Sequence, residues 1–435
     1  MKARNLNLPA QLARYLEIGF GETWDIRAGR ATARAVIQET SGGGGNGEKT
    51  VLLPPGLAAD LGLPCGLHLN LIRDRDRLRI GPLVGILAAR YIKERDSFGV
   101  QNHNFHALLQ ALRGLNGTGF VFTPRDIDWR RNRIHGYYSG GSEKRWRPRW
   151  YPFPDVYYNR FFSKSSTDTR DIMKRFRGYG VQTFNTPIGS KWTVHSYLSH
   201  REDIRRHLPD THRLLSAQVL QAMLDKYREV YIKPGEGHLG RGIMRVSKKP
   251  GGYLLKSSGN VNGVAYRSLA GVVRALQRNG KLEKFLVQQS IGVAGGDQHF
   301  DSRVLVQKDR QNQWQITGLA ARVGGSGQIT TNLHTGGHAE GINRTLAQRG
   351  FDRTEIAAVR AEISRLALDI AGALEEYSPA LGDLGLDFIV DKDGQVWFLE
   401  ANPRAGRRSV EKMGREAQKL TVLRPMEYAC YLAGF

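Results

Sequence analysis

Residues 233–242 read Lys233-Pro234-Gly235-Glu236-Gly237-His238-Leu239-Gly240-Arg241-Gly242 and directly follow the run Val230-Tyr231-Ile232. A short run of β-branched and aromatic residues before a turn indicates a strand. Glycine has no Cβ, so the backbone can turn sharply and approach a ligand closely. Successive free N–H groups in such a turn bind anions, and a lysine on the strand adds a point charge for phosphate. The stretch therefore predicts a phosphate-binding hairpin, although it lacks the Gly-Lys-Ser/Thr ending of a P-loop.

A second hairpin is predicted near the C-terminus, where two apolar runs, residues 385–390 and 396–402, flank Asp391-Lys392-Asp393-Gly394. Glu400 and Asn402 are two residues apart, so both point to one face of their strand. An antiparallel pair would bring them together with Asp387, and such oxygen ligands suit Mg²⁺. The alternative is a solvated hairpin with acidic ends. It is disfavoured because Glu400 lies in an apolar strand, where an unpaired carboxylate is costly.

The motifs occur in the order Lys191, Lys233–Gly242, Phe285–Ile291, Asp387 and Glu400-x-Asn402. In this order they resemble the ATP-grasp superfamily over about Thr186 to Arg408. The closest resemblance is to the YheC/YheD-like endospore coat-associated ATP-grasp family, whose upstream signatures look like Gly81–Leu87 and Phe153–Arg160. Residues 322–327 and 331–337 are also similar to ligases that add glutamate to a protein tail.

The resemblance implies an α/β (α+β) ATP-grasp fold, preceded by an α/β domain and a small β-rich N-terminal domain. We expect the β-rich domain over residues 1–80 and the preceding domain over 81–185, including a basic aromatic hairpin at 126–150. The ATP-grasp domain is expected over 186–435, with a small ATP-binding subdomain at about 212–291. Apolar periodicity predicts a helix over Asn102–Leu115. A long helix is expected over Arg353–Glu376, before the acidic hairpin.

The implied activity is that of an ATP- and Mg²⁺-dependent carboxylate–amine ligase of EC 6.3 type, with two metal ions expected. ATP would phosphorylate a carboxylate, and an amine would attack the acyl phosphate. The expected substrate is an amino acid or a peptide, and the charge of the chain favours an acidic peptide. The alternative is a structural protein of the spore coat that retains an ATP-binding fold.

The resemblance also assigns the nucleotide-binding residues. Lys191 and Lys233 would contact the α- and β-phosphates. The glycines that would close over the triphosphate are Gly235, Gly237, Gly240 and Gly242. Residues of the adenine slot would be Gln288, Gln289 and Ile291, with the strand edge offering backbone hydrogen bonds; Gln288 stands where the family usually has glutamate. Asp297 is the candidate for the ribose contact.

The remaining assignments concern the reacting groups. Arg303 and Arg322 would face the γ-phosphate or the acyl phosphate and act as catalytic residues, while Mg²⁺ would be held by Asp387, Glu400 and Asn402. From the residues alone, Lys191 could equally be a surface lysine. Arg303 could also be a structural ion-pair partner within its strand.

The 435-residue chain has a net charge of +23, which attracts anions over long range. Nucleic acid, an acidic polymer and an acidic peptide are the candidate partners. Specific nucleic-acid binding is disfavoured because no recognition module is found. In the hairpin 126–150, interleaved arginines and aromatics could stack on bases. We favour packed tryptophans with exposed arginines.

Other features restrict the class of protein. The two cysteines, Cys65 and Cys430, cannot form a Cys-x-x-Cys metal site or redox pair. No run of about 18 apolar residues exists, so no membrane span is expected. The N-terminus lacks the apolar core of a signal peptide. We therefore expect a cytoplasmic protein, with association with the spore as the alternative.

Overall fold

The computed structural model describes residues 4–40, 49–139, 145–161, 167–235, 242–258, 260–293, 299–325, 327–331, 336–404, 406 and 409–435. The chain divides into two compact units. The first comprises Met1–Thr186, Lys308–Gln313 and Leu420–Phe435, and the second comprises Pro187–Gln307 and Trp314–Lys419. Within the described residues, no helix is long and apolar enough to cross a membrane.

The first unit begins with a six-stranded sheet and two short helices. Its elements are β1 (Arg4–Leu8), α1 (Ala10–Tyr15), β2 (Thr23–Ala28), β3 (Ala31–Glu39), β4 (Thr50–Leu52), α2 (Pro55–Leu61), β5 (His68–Asp74) and β6 (Arg77–Gly81). The strand order is β1-β3-β2-β6-β5-β4. Alternate residues such as Leu69 and Leu71 of β5 are buried, as period-2 patterning requires.

The second sheet of this unit contains four parallel strands. Its elements are β7 (Leu83–Leu87), α3 (Asn102–Gly114), β8 (Thr118–Phe122), β9 (Ile127–Asp128), β10 (Arg133–Ser139), β11 (Trp146–Pro152), β12 (Val156–Asn159), α4 (Thr167–Gly178) and β13 (Gln182–Phe184). The order is β11-β10-β8-β7-β12-β13, and β9 pairs with β10. All five residues of β7 are buried, as is typical of a parallel strand. The predicted helix at residue 102 is confirmed as α3.

The predicted basic aromatic hairpin is confirmed as the antiparallel pair β10–β11, in which Ser139 lies opposite Trp146. The hairpin is part of the main sheet, because Tyr137 of β10 pairs with Val121 of β8. Trp146 is buried and stacks on His106 with 4.0 Å between ring centroids. The expected packing of the tryptophans fails for Trp150, which is 42% exposed.

The second unit contains an antiparallel sheet covered on one face by helices. Its elements are α5 (Lys191–Leu198), α6 (Glu202–Arg205), β14 (Thr211–Arg213), α7 (Ala217–Tyr227), β15 (Glu229–Pro234), β16 (Met244–Lys249), β17 (Gly252–Ser257), β18 (Asn260–Tyr266), α8 (Leu269–Gln277) and β19 (Phe285–Gln289). The order is β14-β19-β15-β16-β17-β18. Leu224 of α7 and Leu276 of α8 share a core with Val230, Ile232 and Val287. Lys233 and Gln288, at alternate positions, therefore point to the opposite face.

The last sheet of this unit packs on a long helix. Its elements are β20 (Phe300–Lys308), β21 (Trp314–Val323), β22 (His338–Glu340), α9 (Ile342–Ala347), α10 (Arg353–Tyr377), β23 (Asp383–Val390) and β24 (Val396–Asn402). The last helix, α11 (Arg415–Ala433), begins in this unit and belongs to the first unit from Leu420 onward. The order is β22-β21-β20-β23-β24. The predicted long helix is confirmed as α10, which begins at a capping box between Asp352 and Glu355. The domain boundaries at residues 80 and 185, and the subdomain 212–291, stay predictions.

Candidate functional site

The predicted acidic hairpin is formed by β23 and β24. Asp387 lies opposite Glu400, and Gly385 lies opposite Asn402. The turn is stabilised by Asp391, whose Oδ1 accepts from the backbone N–H of Asp393 at 3.0 Å and of Gln395 at 2.9 Å. The side-chain amide of Asn402 donates to Oε1 of Glu400 at 3.0 Å. Pairing of the strands thus brings the three predicted metal ligands to one end of the hairpin.

The carboxylates of Asp387 and Glu400 are each paired with basic side chains from other elements. Arg303, opposite Asp387 in the β20–β23 ladder, places Nε 2.5 Å from Oδ1 of Asp387. Arg322 of β21 places Nη2 2.8 Å from Oδ2 of the same carboxylate. Lys191 donates to Oε2 of Glu400. The structure therefore gathers five of the predicted residues, Lys191, Arg303, Arg322, Asp387 and Glu400, into one ion network.

Lys191 is positioned by the start of α5. The hydroxyl of Ser190 accepts from the backbone N–H of Thr193 at 3.1 Å and caps the helix. Burial alone would lower the pKa of Lys191, but Glu400 outweighs it and raises that pKa. Burial would likewise raise the pKa of Glu400, but Lys191 lowers it. Both groups are therefore charged at neutral pH, and the interpretation of Lys191 as an unpaired surface lysine is not supported.

Asp301 is a member of the site that the sequence reasoning missed. Its carboxylate accepts from Nε and Nη2 of Arg322, each at 2.6 Å, and from the hydroxyl of Thr331. Burial raises the pKa of Asp301, with Arg322 opposing the shift. Burial would lower the pKa of Arg322, but Asp301 and Asp387 raise it. The sequence did contain a signal for Asp301, because this residue is two positions from Arg303 and its side chain therefore points to the same face of the strand.

Lys233 lies on the face of the sheet opposite the helices. Its ammonium donates to Oε1 of Gln288, and the amide nitrogen of Gln288 donates to the hydroxyl of Thr211 at 2.9 Å. Burial lowers the pKa of Lys233 to about 8, with Lys191 adding to the effect and Glu400 opposing it. Because its hydrogen-bond partner is a neutral amide, Lys233 is a desolvated cation that no carboxylate of the described residues contacts directly.

The expectation that β19 offers an open strand edge is wrong over Leu286–Gln288. The short strand β14 pairs there, with Thr211 opposite Gln288. The next residue, Gln289, is also engaged, since its backbone N–H donates to the carbonyl of Asp210 at 2.9 Å. The oxygen and the nitrogen of the Gln288 amide are both hydrogen-bonded within the protein, so a contact of this side chain with adenine requires a rearrangement. Ile291 is buried beyond the end of the strand.

The ends of the glycine-rich stretch are described, and its centre is not. The backbone N–H of Lys191 donates to the carbonyl of Gly235 at 3.3 Å, and Gly235 donates to the carbonyl of Lys284 at 2.8 Å. Gly242 has φ of +75°, a conformation that favours glycine. The predicted residues Gly237, Gly240 and Asp297 lie outside the described residues. The path of the loop therefore begins beside Lys191 at the edge of the ion network.

The sequence profile described as YheC/D like ATP-grasp matches residues 180–432. The fold class is therefore α/β with an ATP-grasp fold. Endospore coat-associated protein YheD of Bacillus subtilis (strain 168) is 30% identical over 403 residues, covering 89% of this chain and 86% of that protein. Endospore coat-associated protein YheC of the same organism is 24% identical over 332 residues, covering 73% and 88%. The chain belongs to the YheC/D-like ATP-grasp family.

A synthetase and a ligase are among the solved structures that align with this chain. D-cycloserine synthetase DcsG aligns with a TM-score of 0.47 and 13% identity, covering 81% of this chain and 99% of that one. VanG D-Ala:D-Ser ligase from Enterococcus faecalis aligns with a TM-score of 0.48 and 12% identity, covering 80% and 99%.

The donor set of the acidic hairpin fits Mg²⁺. Asp387, Glu400 and Asn402 offer oxygen atoms, which are the ligands that this ion prefers. The hydrogen bond to Glu400 uses the amide nitrogen of Asn402 and leaves its carbonyl oxygen for another partner. The carboxylates are held by cations of the kind that bind phosphate oxygens. The residues therefore fit a magnesium ion that arrives together with a phosphorylated ligand.

Proposed function

We propose that this protein is an ATP- and Mg²⁺-dependent carboxylate–amine ligase that acts through an acyl phosphate on an amino acid or a peptide. The observation that carries the proposal is the ion network itself. Two carboxylates on paired strands, Asp387 and Glu400, are each held by basic side chains from other elements, Arg303, Arg322 and Lys191. In a chain of the YheC/D-like ATP-grasp family, such a network supports binding and transfer of a phosphoryl group.

The oxygen of a carboxylate is a poor leaving group, and its phosphorylation by ATP converts it into phosphate, which is a good one. The γ-phosphoryl group of ATP moves to an oxygen of the substrate carboxylate, which leaves ADP and an acyl phosphate. The amine nitrogen then attacks the acyl carbon, the carbon–oxygen bond to phosphate breaks, and the amide nitrogen loses a proton. The protein positions these groups and neutralises the charge that develops on the transferred phosphoryl oxygens.

Each residue has a proposed part in this reaction. Lys191 and Lys233 bind the α- and β-phosphates, and Arg303 and Arg322 bind the transferred phosphoryl group. Two magnesium ions, when bound, neutralise the phosphates, and Asp387, Glu400 and Asn402 hold them. Asp301 orients Arg322 through its two hydrogen bonds and leaves Nη1 of that arginine for the ligand.

An exchange of ion-pair partners accompanies binding in this proposal. Lys191, Arg303 and Arg322 leave the carboxylates of Glu400 and Asp387 for the phosphate oxygens. The released carboxylates then bind the metal. Because neither half of the exchange leaves a buried charge unpaired, nucleotide and metal should bind together more tightly than either binds alone.

The second candidate is a coat-associated binding protein that retains the fold without turnover. The printed names of the two relatives, endospore coat-associated proteins YheD and YheC, favour this candidate. We also propose that the protein is located in the cytoplasm, with association with the spore as the alternative.

Phosphate release with MgATP and pooled amino acids or acidic peptides separates the two candidates. The ligase should release phosphate only when a carboxylate and an amine are both present, and Glu400→Gln should abolish the release. Binding of MgATP by calorimetry without stimulation by any pool would overturn the ligase and support the binding protein.

A further inference from the structure

A chain of three hydrogen bonds links the ammonium group of Lys233 to the short strand β14. The ammonium donates to Oε1 of Gln288, and Nε2 of Gln288 donates to the hydroxyl of Thr211 at 2.9 Å. That hydroxyl donates in turn to the backbone carbonyl of Pro209 at 2.7 Å. Thr211 lies opposite Gln288 in the β14–β19 pair, so the contact follows from the strand register. Thr211 and Gln288 are each 6% exposed, and the chain of hydrogen bonds is therefore shielded from water.

Each hydrogen bond of this chain has a fixed direction. An ammonium group can only donate, so Lys233 must meet the oxygen of the Gln288 amide. A threonine hydroxyl has one hydrogen, and in Thr211 that hydrogen is used on the carbonyl of Pro209. The hydroxyl can therefore only accept from the amide, which fixes the amide nitrogen on its side. The opposite orientation of the amide would place its N–H groups against the ammonium of Lys233.

Lys233 gains from being held, because a lysine side chain is flexible. Its ammonium is a point charge on a stem of four carbons, without the preset geometry of a guanidinium group. Rotamers that are lost on binding lower the affinity, so a side chain that is already held in place binds its ligand more tightly. One ammonium hydrogen is used by Gln288, and the ammonium can still donate two hydrogen bonds to phosphate oxygens.

A neutral amide holds a lysine differently from a carboxylate. Lys191 is paired with the carboxylate of Glu400, and this ion pair must be exchanged before Lys191 can bind phosphate. The amide of Gln288 holds Lys233 without neutralising its charge. Lys233 can therefore bind phosphate while it keeps its hydrogen bond to the protein.

We propose that Thr211 is a positioning residue, which fixes the amide of Gln288 and through it the ammonium of Lys233 for binding the phosphate groups of a nucleotide. In this assignment Gln288 acts on the phosphate-binding lysine and does not contact the base. The inference rests on one part of the proposed function, the binding of nucleotide phosphates by Lys233, and does not depend on the ligase reaction.

The test is displacement of a fluorescent ADP analogue from the full chain by MgADP and by adenosine. Thr211→Val keeps the shape of the side chain and removes the hydroxyl. Its affinity for MgADP should fall about tenfold, because the amide of Gln288 loses its fixed orientation and Lys233 is no longer held. The affinity for adenosine, which has no phosphate, should stay the same. Thr211→Ser retains the hydroxyl and should bind both ligands as the wild-type chain does.

The matched control is Thr317→Val, which removes a hydroxyl from a second buried threonine–glutamine pair of the same unit. Thr317 is also 6% exposed, and its hydroxyl donates to Oε1 of Gln307 at 2.8 Å. Gln307 lies on β20, four residues beyond Arg303. Both valine variants should melt at a lower temperature than the wild-type chain, since each loses a buried hydrogen bond. Only Thr211→Val should lose affinity for MgADP.

The outcomes separate this inference from the proposed function. Equal affinity of Thr211→Val and the wild-type chain for MgADP would overturn the inference alone, as would an equal loss in Thr317→Val. A parallel loss for adenosine would overturn it as well, because the effect would not depend on phosphate. Absence of MgADP binding by the wild-type chain would overturn the inference together with the proposed function. The expected pattern of affinities without any ligase turnover would support the inference and reject the ligase.

Discussion

The hairpins β10–β11 and β23–β24 are alike in local structure, but they differ in how their charged side chains are paired. Both are antiparallel pairs of strands that carry charged side chains. In β23–β24, Asp387 and Glu400 are held by basic groups from three other elements. In β10–β11, the described surroundings supply no counter-charge to Arg145 or Arg149. The comparison shows that charge placement in a strand is local, whereas charge pairing depends on elements that are distant in the chain.

The energetic consequences differ for the same reason. Removing one partner from a buried ion pair costs about 3–5 kcal/mol, because the other charge remains desolvated. An exposed charge without a partner contributes little to stability. Substitutions at the ion pairs of β23–β24 should therefore change the free energy of unfolding much more than substitutions of the exposed arginines of β10–β11.

The largest effect is expected for Asp387→Ala. The side chain of Asp387 is 4% exposed and balances both Arg303 and Arg322. The variant should lose about 3–5 kcal/mol of unfolding free energy and all turnover. Urea unfolding measures the first quantity. Asp393→Ala, in the exposed turn of the same hairpin, is the control and should change stability by less than about 0.5 kcal/mol. Equal stability of the two variants would contradict the buried network.

A smaller effect is expected for Asp301→Asn. The amide accepts one hydrogen bond from Arg322 in place of the two that the carboxylate accepts at 2.6 Å. We expect a loss of about 1–3 kcal/mol in stability. Because Arg322 loses its orientation, kcat should fall more than the nucleotide affinity. Thr331→Val removes the hydroxyl that also donates to Asp301 and should have the same effect on a smaller scale. An unchanged kcat in Asp301→Asn would exclude the positioning role.

The pH dependence of nucleotide binding tests Lys233. Burial lowers its pKa from 10.5 to about 8. The protonated form binds phosphate, so the affinity for MgATP should fall about tenfold per pH unit as pH rises above 8. Between pH 8 and 10.5 the folded chain binds fewer protons at this lysine than the unfolded chain does. The lysine therefore opposes folding below pH 8, and this penalty is relieved as the pH rises.

Calorimetry in buffers of different ionisation enthalpy measures this linkage directly. Binding above pH 8 should be accompanied by proton uptake. Gln288→Glu places a carboxylate at the hydrogen-bond partner of Lys233, so the fall in affinity should move to higher pH. An affinity that stays constant through this range in both proteins would rule out Lys233 as the titrating group.

The smallest effect is expected for Arg149→Gln on the other hairpin. Because Arg149 has no ion pair or hydrogen bond with a described residue, its loss should change the unfolding free energy by less than about 0.5 kcal/mol. Arg147 and Arg149 carry like charges at alternate positions of β11, so relief of their repulsion gives the change a stabilising sign at low salt. A destabilisation above about 1 kcal/mol would show that Arg149 is structural and that the two hairpins are alike.

Much of the fold could be predicted because its signals are local. The hairpin β23–β24 follows from two apolar runs around Asp391–Gly394, and α10 follows from its periodicity and its capping box. Lys191, Lys233 and the three proposed metal ligands could be named from the order of the motifs along the chain. The closed edge of β19 could not, because a strand of three residues, β14, carries too weak a pattern to be placed against it.

The sequence by itself therefore determined the hairpins, the long helix, the family and the residue types of the site. These features depend on patterns within a few residues or on the order of motifs. Only the tertiary structure decided which charges meet. Arg303 and Asp387 are 84 residues apart, and Lys191 and Glu400 are 209 residues apart. Such pairs depend on which strands become neighbours and in which register, and a one-residue slip would turn each side chain to the opposite face.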